Sequence, residues 1–223
     1  MAFLGDLGSA KTTLCTRYLI LTKKLHPEKK IYCNYTLYNY PFELLDLMDL
    51  YLNHQNEKNI IVVADELYTM MDSRVATSYR NRIESYFVAM TRKKDADFFV
   101  TMQYEKFVDC RLAPFIKVKY IMEKIMQRHI LYIDNIKYTY LKPHPYLFKC
   151  TLFDERDNNH PICKEFIFNG LRWFPEFNTD EVILPPEDVL LNIKLNKLKK
   201  EVQYTKLLNK KKELENNEKQ TIN

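Results

Sequence analysis

The stretch MAFLGDLGSAKTTLCTRYLILTKK, residues 1–24, decides how the chain folds. The chain has only three glycines, and two of them, Gly5 and Gly8, fall in this window. A short apolar run, Ala2 to Leu4, leads into Gly5-Asp6-Leu7-Gly8-Ser9-Ala10-Lys11-Thr12-Thr13, and a helix-compatible segment follows. Strand, glycine-bearing loop, Lys-Thr and helix together make a cradle for phosphate, with backbone N–H groups and a helix N-terminus turned toward the anion. The usual spacing is G-x-x-x-x-G-K-[ST], and here Ala10 stands at the last glycine. Read as the first helical residue, Ala10 needs no positive φ and the exchange costs little. The strand ahead of the loop is short, which reads as a minimal edge strand or a misassigned start codon.

Working outward, Thr12 to Leu25 carries apolar residues at helical spacing and stops at Lys-Lys-Leu-His-Pro. Lys30 to Tyr35 reads as a strand, and Pro41 to Leu52 as a helix with its proline in the first turn. Asn59-Ile60-Ile61-Val62-Val63-Ala64-Asp65-Glu66 is an unbroken β-branched run, the pattern of a central strand buried on both faces of a parallel sheet. A second such run, Asp97 to Met102, ends at Gln103; a helix over about 105–112 and a strand over 116–121 follow. Strand and helix alternate, which predicts a three-layer α/β fold with a mainly parallel sheet. Residues 129–170 read as a β-rich extension of short aromatic hairpins. The expected main body spans 1–187, and 188–223 is expected to form a basic helical tail.

Composition narrows the function. Apolar residues make up 46% and aromatics 13%, the balance of a folded protein. No apolar run reaches membrane-spanning length, and the N-terminus lacks a signal peptide's basic start and apolar run. The five cysteines form no CxxC pair and read as reduced and packed; the five histidines have no metal-ligand spacing. The net charge of +5 lies mostly in the tail, where nine lysines face five acids from Asp188 onward.

Asp65 and Glu66 complete the chemistry. At the carboxyl end of a buried strand beside a phosphate loop, an aspartate orders Mg²⁺ and an adjacent glutamate takes the proton from attacking water. One strand–helix unit separates the pair from the loop, so both are expected at one ATP site.

These motifs resemble the P-loop ATPases of the FtsK–HerA superfamily, especially the genome-packaging ATPases of tailless icosahedral viruses, archaeal ones included. The matching residues are Gly5 to Thr12, Val63-Ala64-Asp65-Glu66, Asp72-Ser73-Arg74, Thr91-Arg92-Lys93-Lys94, Thr101-Met102-Gln103, Val108 to Leu112, and Trp173 to Glu181. The resemblance implies a RecA-like fold with a C-terminal helix and an ATP- and Mg²⁺-dependent translocase moving double-stranded DNA into a preformed capsid. It implies that Gly5 through Thr13 hold the nucleotide, that Lys11 contacts the β- and γ-phosphates, and that Thr12 and Asp65 hold the metal. It further implies that Glu66 is the base, that Gln103 senses the γ-phosphate, and that Arg92 is a finger acting on a neighbouring subunit's nucleotide. Arg74 and Arg111 are the rival fingers. Implied partners are double-stranded DNA, further copies in a ring of five or six, and a capsid or vertex protein. The implied location is the host cytoplasm and, transiently, the assembling virion. A DNA-export or assembly ATPase of the conjugation or filamentous-phage type and a P-loop nucleotide kinase are the alternatives.

Overall fold

The computed structural model describes residues 1–54, 56–70, 86, 88–89, 91, 93–107, 112–133, 136–157 and 160–178. Eight strands form one sheet: β1 (Ala2–Gly5), β2 (Lys30–Cys33), β3 (Glu43–Leu44), β4 (Ile60–Ala64), β5 (Ala96–Met102), β6 (Val118–Ile133), β7 (Ile136–Asp154) and β8 (Ile162–Asn169). Their spatial order is β3-β2-β4-β5-β1-β6-β7-β8. The six from β3 to β6 run parallel, and β7 and β8 return antiparallel. The α-helices described in full are α1 (Lys11–Leu25) and α2 (Leu47–Leu52).

Strand period two sorts the core into two layers. Phe3, Ile61, Val63 and Phe99 face α1, whose Leu14, Cys15, Leu19 and Ile20 close over them. Ala2, Ile60, Val62, Ala64, Val100 and Met102 face the other way, onto Leu47 and Leu50 of α2 with Leu67, Met70, Val88 and Leu112. Every residue of β4 is fully buried, and at roughly 1.5–3 kcal/mol per large aliphatic side chain that strand anchors both layers. Three layers with a mainly parallel sheet are what the sequence predicts.

Several expectations are corrected. β1 is not an edge strand: it lies between β5 and β6, paired from Ala2↔Val100 on one side to Gly5↔Met122 on the other. β5, the strand that ends at Gln103, pairs directly with β1, and β4 lies one strand further out. The helix expected over 41–52 begins only at Leu47. Glu43 and Leu44 instead pair with Tyr32 and Cys33 of β2, and the Asp46 carboxylate caps α2 by accepting from Met48 N and Asp49 N. The segment expected to be helical over 105–112 opens with a 3₁₀ turn, Glu105–Phe107, and 108–111 lie outside the described residues. The β-rich part begins at Val118 and extends the central sheet itself, with strands of 16 and 19 residues. The tail, 188–223, lies outside the described residues. Among the described residues no helix is long and apolar enough to cross a membrane.

Candidate nucleotide site

The carboxyl ends of β1, β4 and β5 converge on the start of α1. Between β1 and α1, residues 6–10 form a tight loop, with Ser9 N donating to Asp6 O at 3.2 Å. Gly5 has φ of +144°, and a β-carbon there would lie 2.2 Å from the Met122 carbonyl oxygen of β6. Only glycine lets β1 lie that close to β6 at this bend. Ala10 has φ 63° and ψ 32°, the left-handed region, so the expectation that it needs no positive φ is wrong. The loop keeps the backbone that glycine normally supplies and forces alanine into it. No side chain caps the N-terminus of α1, so its first N–H groups stay available to an anion.

Lys11 is 5% exposed, and its ammonium donates to Asp6 O at 3.1 Å. Burial pulls its pKa below the ordinary lysine value; Glu66, Asp65 and Asp6 push the other way. Thr12 donates from its hydroxyl to Asp65 Oδ1 at 2.8 Å, so the first turn of α1 crosses β5 to reach the end of β4. Thr101 of β5 sits between the strands and bonds both acids. Its hydroxyl donates to Asp65 Oδ1 at 2.5 Å and accepts from Glu66 N at 2.9 Å. Asn34, just past β2, clamps the Asp65 backbone: its Oδ1 accepts from Asp65 N at 2.7 Å and its Nδ2 donates to Asp65 O at 2.8 Å. Burial lifts the Asp65 carboxyl above its ordinary pKa, opposed by the hydrogen bonds from Thr101 and Thr12.

Glu66 turns out of the strand at φ 50° and ψ 55°, a second left-handed non-glycine residue in the site. Strain of this kind persists where surrounding contacts over-determine it. Burial raises the Glu66 pKa; the Lys11 charge opposes this, Asp65 adds to it, and hydrogen bonds from Gln103 and Tyr68 lower it. Two buried oxygens in the site, Ser9 Oγ and Glu66 Oε2, have no hydrogen-bond partner among the described residues. The expected residues Gly5 through Thr13, Asp65, Glu66 and Gln103 are thus gathered in one place. Arg92, Arg74 and Arg111 lie outside the described residues.

A cleft of about 290 Å³ opens over the loop, walled by Leu7, Glu66, Pro145, Phe148, Phe174 and Phe177. Phe177 packs edge-on against Tyr35 at 5.7 Å, and its strand-like bridge to Leu37 ties the 174–177 turn to the body. Lys124 of β6 also reaches the loop. Its ammonium lies 3.3 Å from where a β-carbon on Gly8 would sit, and its charge lowers the Lys11 pKa further. The sequence assigns no role to Asn34, Thr101, Lys124 or the aromatic wall, although Thr101 and Trp173 to Phe177 fall within matched motifs. Asn34 and Lys124 become neighbours of the loop only through strand order.

A β-strand ending in the loop, a lysine and threonine at the helix start, and an Asp-Glu pair from the second strand over meet in one place. The fold is that of a P-loop NTPase. Neither a protein-family model nor a curated protein sequence matches the chain. Among solved structures, it is similar to the N-terminal domain of zonular occludens toxin from Neisseria meningitidis, with a TM-score of 0.54 at 15% identity over 79% of this chain and 97% of that one. It is also similar to the genome packaging NTPase B204 of Sulfolobus turreted icosahedral virus 2 in complex with ATPγS, with a TM-score of 0.44 at 10% identity over 75% and 95%. The DNA-packaging ATPase B204 of Sulfolobus turreted icosahedral virus gives a TM-score of 0.44 at 12% identity over the same shares. Within this P-loop NTPase fold, the Thr12 hydroxyl and Asp65 carboxylate form a hard oxygen pair of the kind Mg²⁺ takes alongside phosphate oxygens and water. The orphaned Glu66 Oε2 beside them suits a group that accepts a proton from water.

Proposed function

We propose that the chain is a Mg²⁺-dependent ATPase that moves double-stranded viral DNA into a preformed capsid. One observation carries the hydrolase part. Glu66 is held beside Lys11, Asp65 and Gln103 with one carboxylate oxygen unsatisfied and its pKa raised by burial. That is the environment of a base poised to take a proton. In this reading the loop amides from Gly5 to Thr13 and the Lys11 ammonium hold the phosphates. Thr12 and Asp65 would hold Mg²⁺, which when bound neutralises phosphate charge. Glu66 takes the proton of the attacking water, and Gln103, hydrogen-bonded to it, fixes the carboxylate's direction. Lys124 adds a second cation at Gly8. Phe148, Phe174, Phe177 and Pro145 give the adenine ring an apolar seat, and Arg92 serves a neighbour's nucleotide.

The DNA-moving part is supported by the sequence resemblance, above all by Thr91 to Lys94 ahead of the strand ending at Gln103 and by Trp173 to Glu181. A ring of five or six copies, a capsid or vertex partner, and a place in host cytoplasm and at the assembling virion belong to the same reading. ATP turnover by the full chain, measured with and without double-stranded DNA, tests it. DNA-stimulated turnover that depends on Mg²⁺ supports the proposal. Turnover indifferent to DNA of any length points to a different cargo, and phosphoryl transfer to a second nucleotide points to a kinase.

A further inference from the structure

Beyond Met122 the β6 strand no longer has β1 beside it, and ahead of Leu147 the β7 strand has no β8 partner. The register shifts between Lys124 and Met126, where His144 Nδ1 accepts from Tyr146 N and Leu147 N across the irregularity. From Met126↔Pro143 to Ile133↔Ile136 the two strands pair only with each other among the described strands. At about 3.4 Å per residue these pairs make a two-stranded ribbon roughly 27 Å long, standing out from the sheet.

Opposed residues of a ribbon share a face. One face carries Met126, Ile130 and Leu141, the other Leu131, Tyr138 and Tyr140, and each of the six is about half exposed or more, up to 63% for Leu141. A free ribbon is marginally stable in water, and apolar side chains on both its faces mark a surface that something else covers. From Lys124 to Tyr146 the sequence holds four cations, Lys124, Arg128, Lys137 and Lys142, against the single acid Asp134.

We infer that this ribbon docks on a second copy of the chain, against the β3–α2 edge of the neighbour's sheet. Residues 31–57 contain four acids and no lysine or arginine. Glu43, Asp49 and Glu57 there share one lysine, Lys30, and the imidazole of His54. β3 is the outermost strand, and beside the acids Leu44 is 79% exposed and Leu52 39%. A basic, apolar ribbon and an acidic, apolar edge are complementary, whereas ribbon-to-ribbon contact would oppose like charges. The mix of Met, Tyr, Leu and Arg is that of a protein interface, and the large aliphatics are out of place against a phosphate backbone. Because the two surfaces differ, the contact is head-to-tail and builds a ring or a filament. The ribbon's root carries Pro145 and Phe148 of the nucleotide cleft and Lys124 over Gly8, so the neighbour's grip and nucleotide occupancy share one element.

The inference rests on the proposed function only in that both need an assembly; nucleotide binding by the chain is measured separately and stands if the contact fails. The experiment is the solution mass of the full chain and of two charge-reversed proteins. The first carries Arg128→Glu with Lys142→Glu, the second Glu43→Lys with Asp49→Lys. The parent is expected above its monomer mass of 26.9 kDa, each reversed protein at the monomer mass, and their mixture assembled again, since every mixed contact restores opposite charges. Ile130→Ser with Leu141→Ser, which leaves the charges in place, is expected to be monomeric with an unchanged circular dichroism spectrum. A monomeric parent, reversed proteins that assemble like the parent, or a mixture that stays monomeric would each overturn the contact. A ribbon-reversed protein that keeps its mass but loses double-stranded DNA would assign the ribbon to nucleic acid instead.

Discussion

Ala10 is the residue at which sequence expectation and backbone part most sharply. It sits at φ 63°, where a β-carbon costs on the order of 1 kcal/mol, and Ala10→Gly should raise unfolding free energy by about that much, less the entropy of a free glycine. A denaturant melt checks this; a loss of stability would mean the loop relies on the methyl. Lys124 is the second residue to test. If its ammonium meets polyphosphate at Gly8, Lys124→Ala should weaken ATP and ADP binding about tenfold and leave AMP binding untouched, while Lys124→Arg keeps affinity. Equal loss for all three nucleotides would indicate distortion of the cleft. Lys11, Thr12, Asp65 and Glu66 were legible because their spacing is local. Lys124 was not, since nothing in the sequence states that residue 124 lies over residue 8.

At the scale of elements, the site is held by the junction of β2, β4 and β5 more than by the loop. Thr101 satisfies the Glu66 N–H and the Asp65 carboxylate at once, and Asn34 clamps the backbone between them. Thr101→Val leaves a buried N–H unpaired and takes a donor from a buried acid, a loss of roughly 1–3 kcal/mol in stability. Thr101→Ser should restore most of it. The carboxylate's pKa, already raised by burial, should rise further in the valine variant, which a pH titration of stability reads directly. The buried strands were legible because β4 and β5 are continuous β-branched or aromatic runs. The region after Pro41 has apolar spacing that suits a helix, but pairing with β2 claims Glu43 and Leu44 first. The hairpin's length is hidden in the sequence by Pro143 and Pro145, which mimic strand ends, and its bulge at Lys124–Met126 shows only in the pairing.

For the whole molecule the question is assembly. Arginine fingers contribute on the order of 10³–10⁵ in rate, so Arg92→Ala should lose hydrolysis without unfolding. Mixed with Lys11→Ala protein it should recover part of the activity, since each supplies what the other lacks at a shared interface. No recovery in mixtures that co-assemble would assign the finger to another arginine. The order of the sheet, with an acidic β3 edge at one end and a basic ribbon toward the other, gives such an interface a direction.

Glu66 as the base is the central claim, and the Glu66→Gln protein tests it most directly through ATP bound and ATP hydrolysed in one titration across pH. Glutamine stands for the protonated carboxyl, so binding should persist while turnover falls by about 10²–10⁴. In the parent, turnover should fail on acidification above the ordinary glutamate range, because burial raises this pKa. The sign for stability follows: above its raised pKa the ionised Glu66 destabilises the unliganded fold, so Glu66→Gln should be the more stable protein at neutral pH. That advantage should shrink as pH falls through the raised pKa and vanish below the ordinary one. A Glu66→Gln protein that turns over ATP at the parent rate would contradict the account.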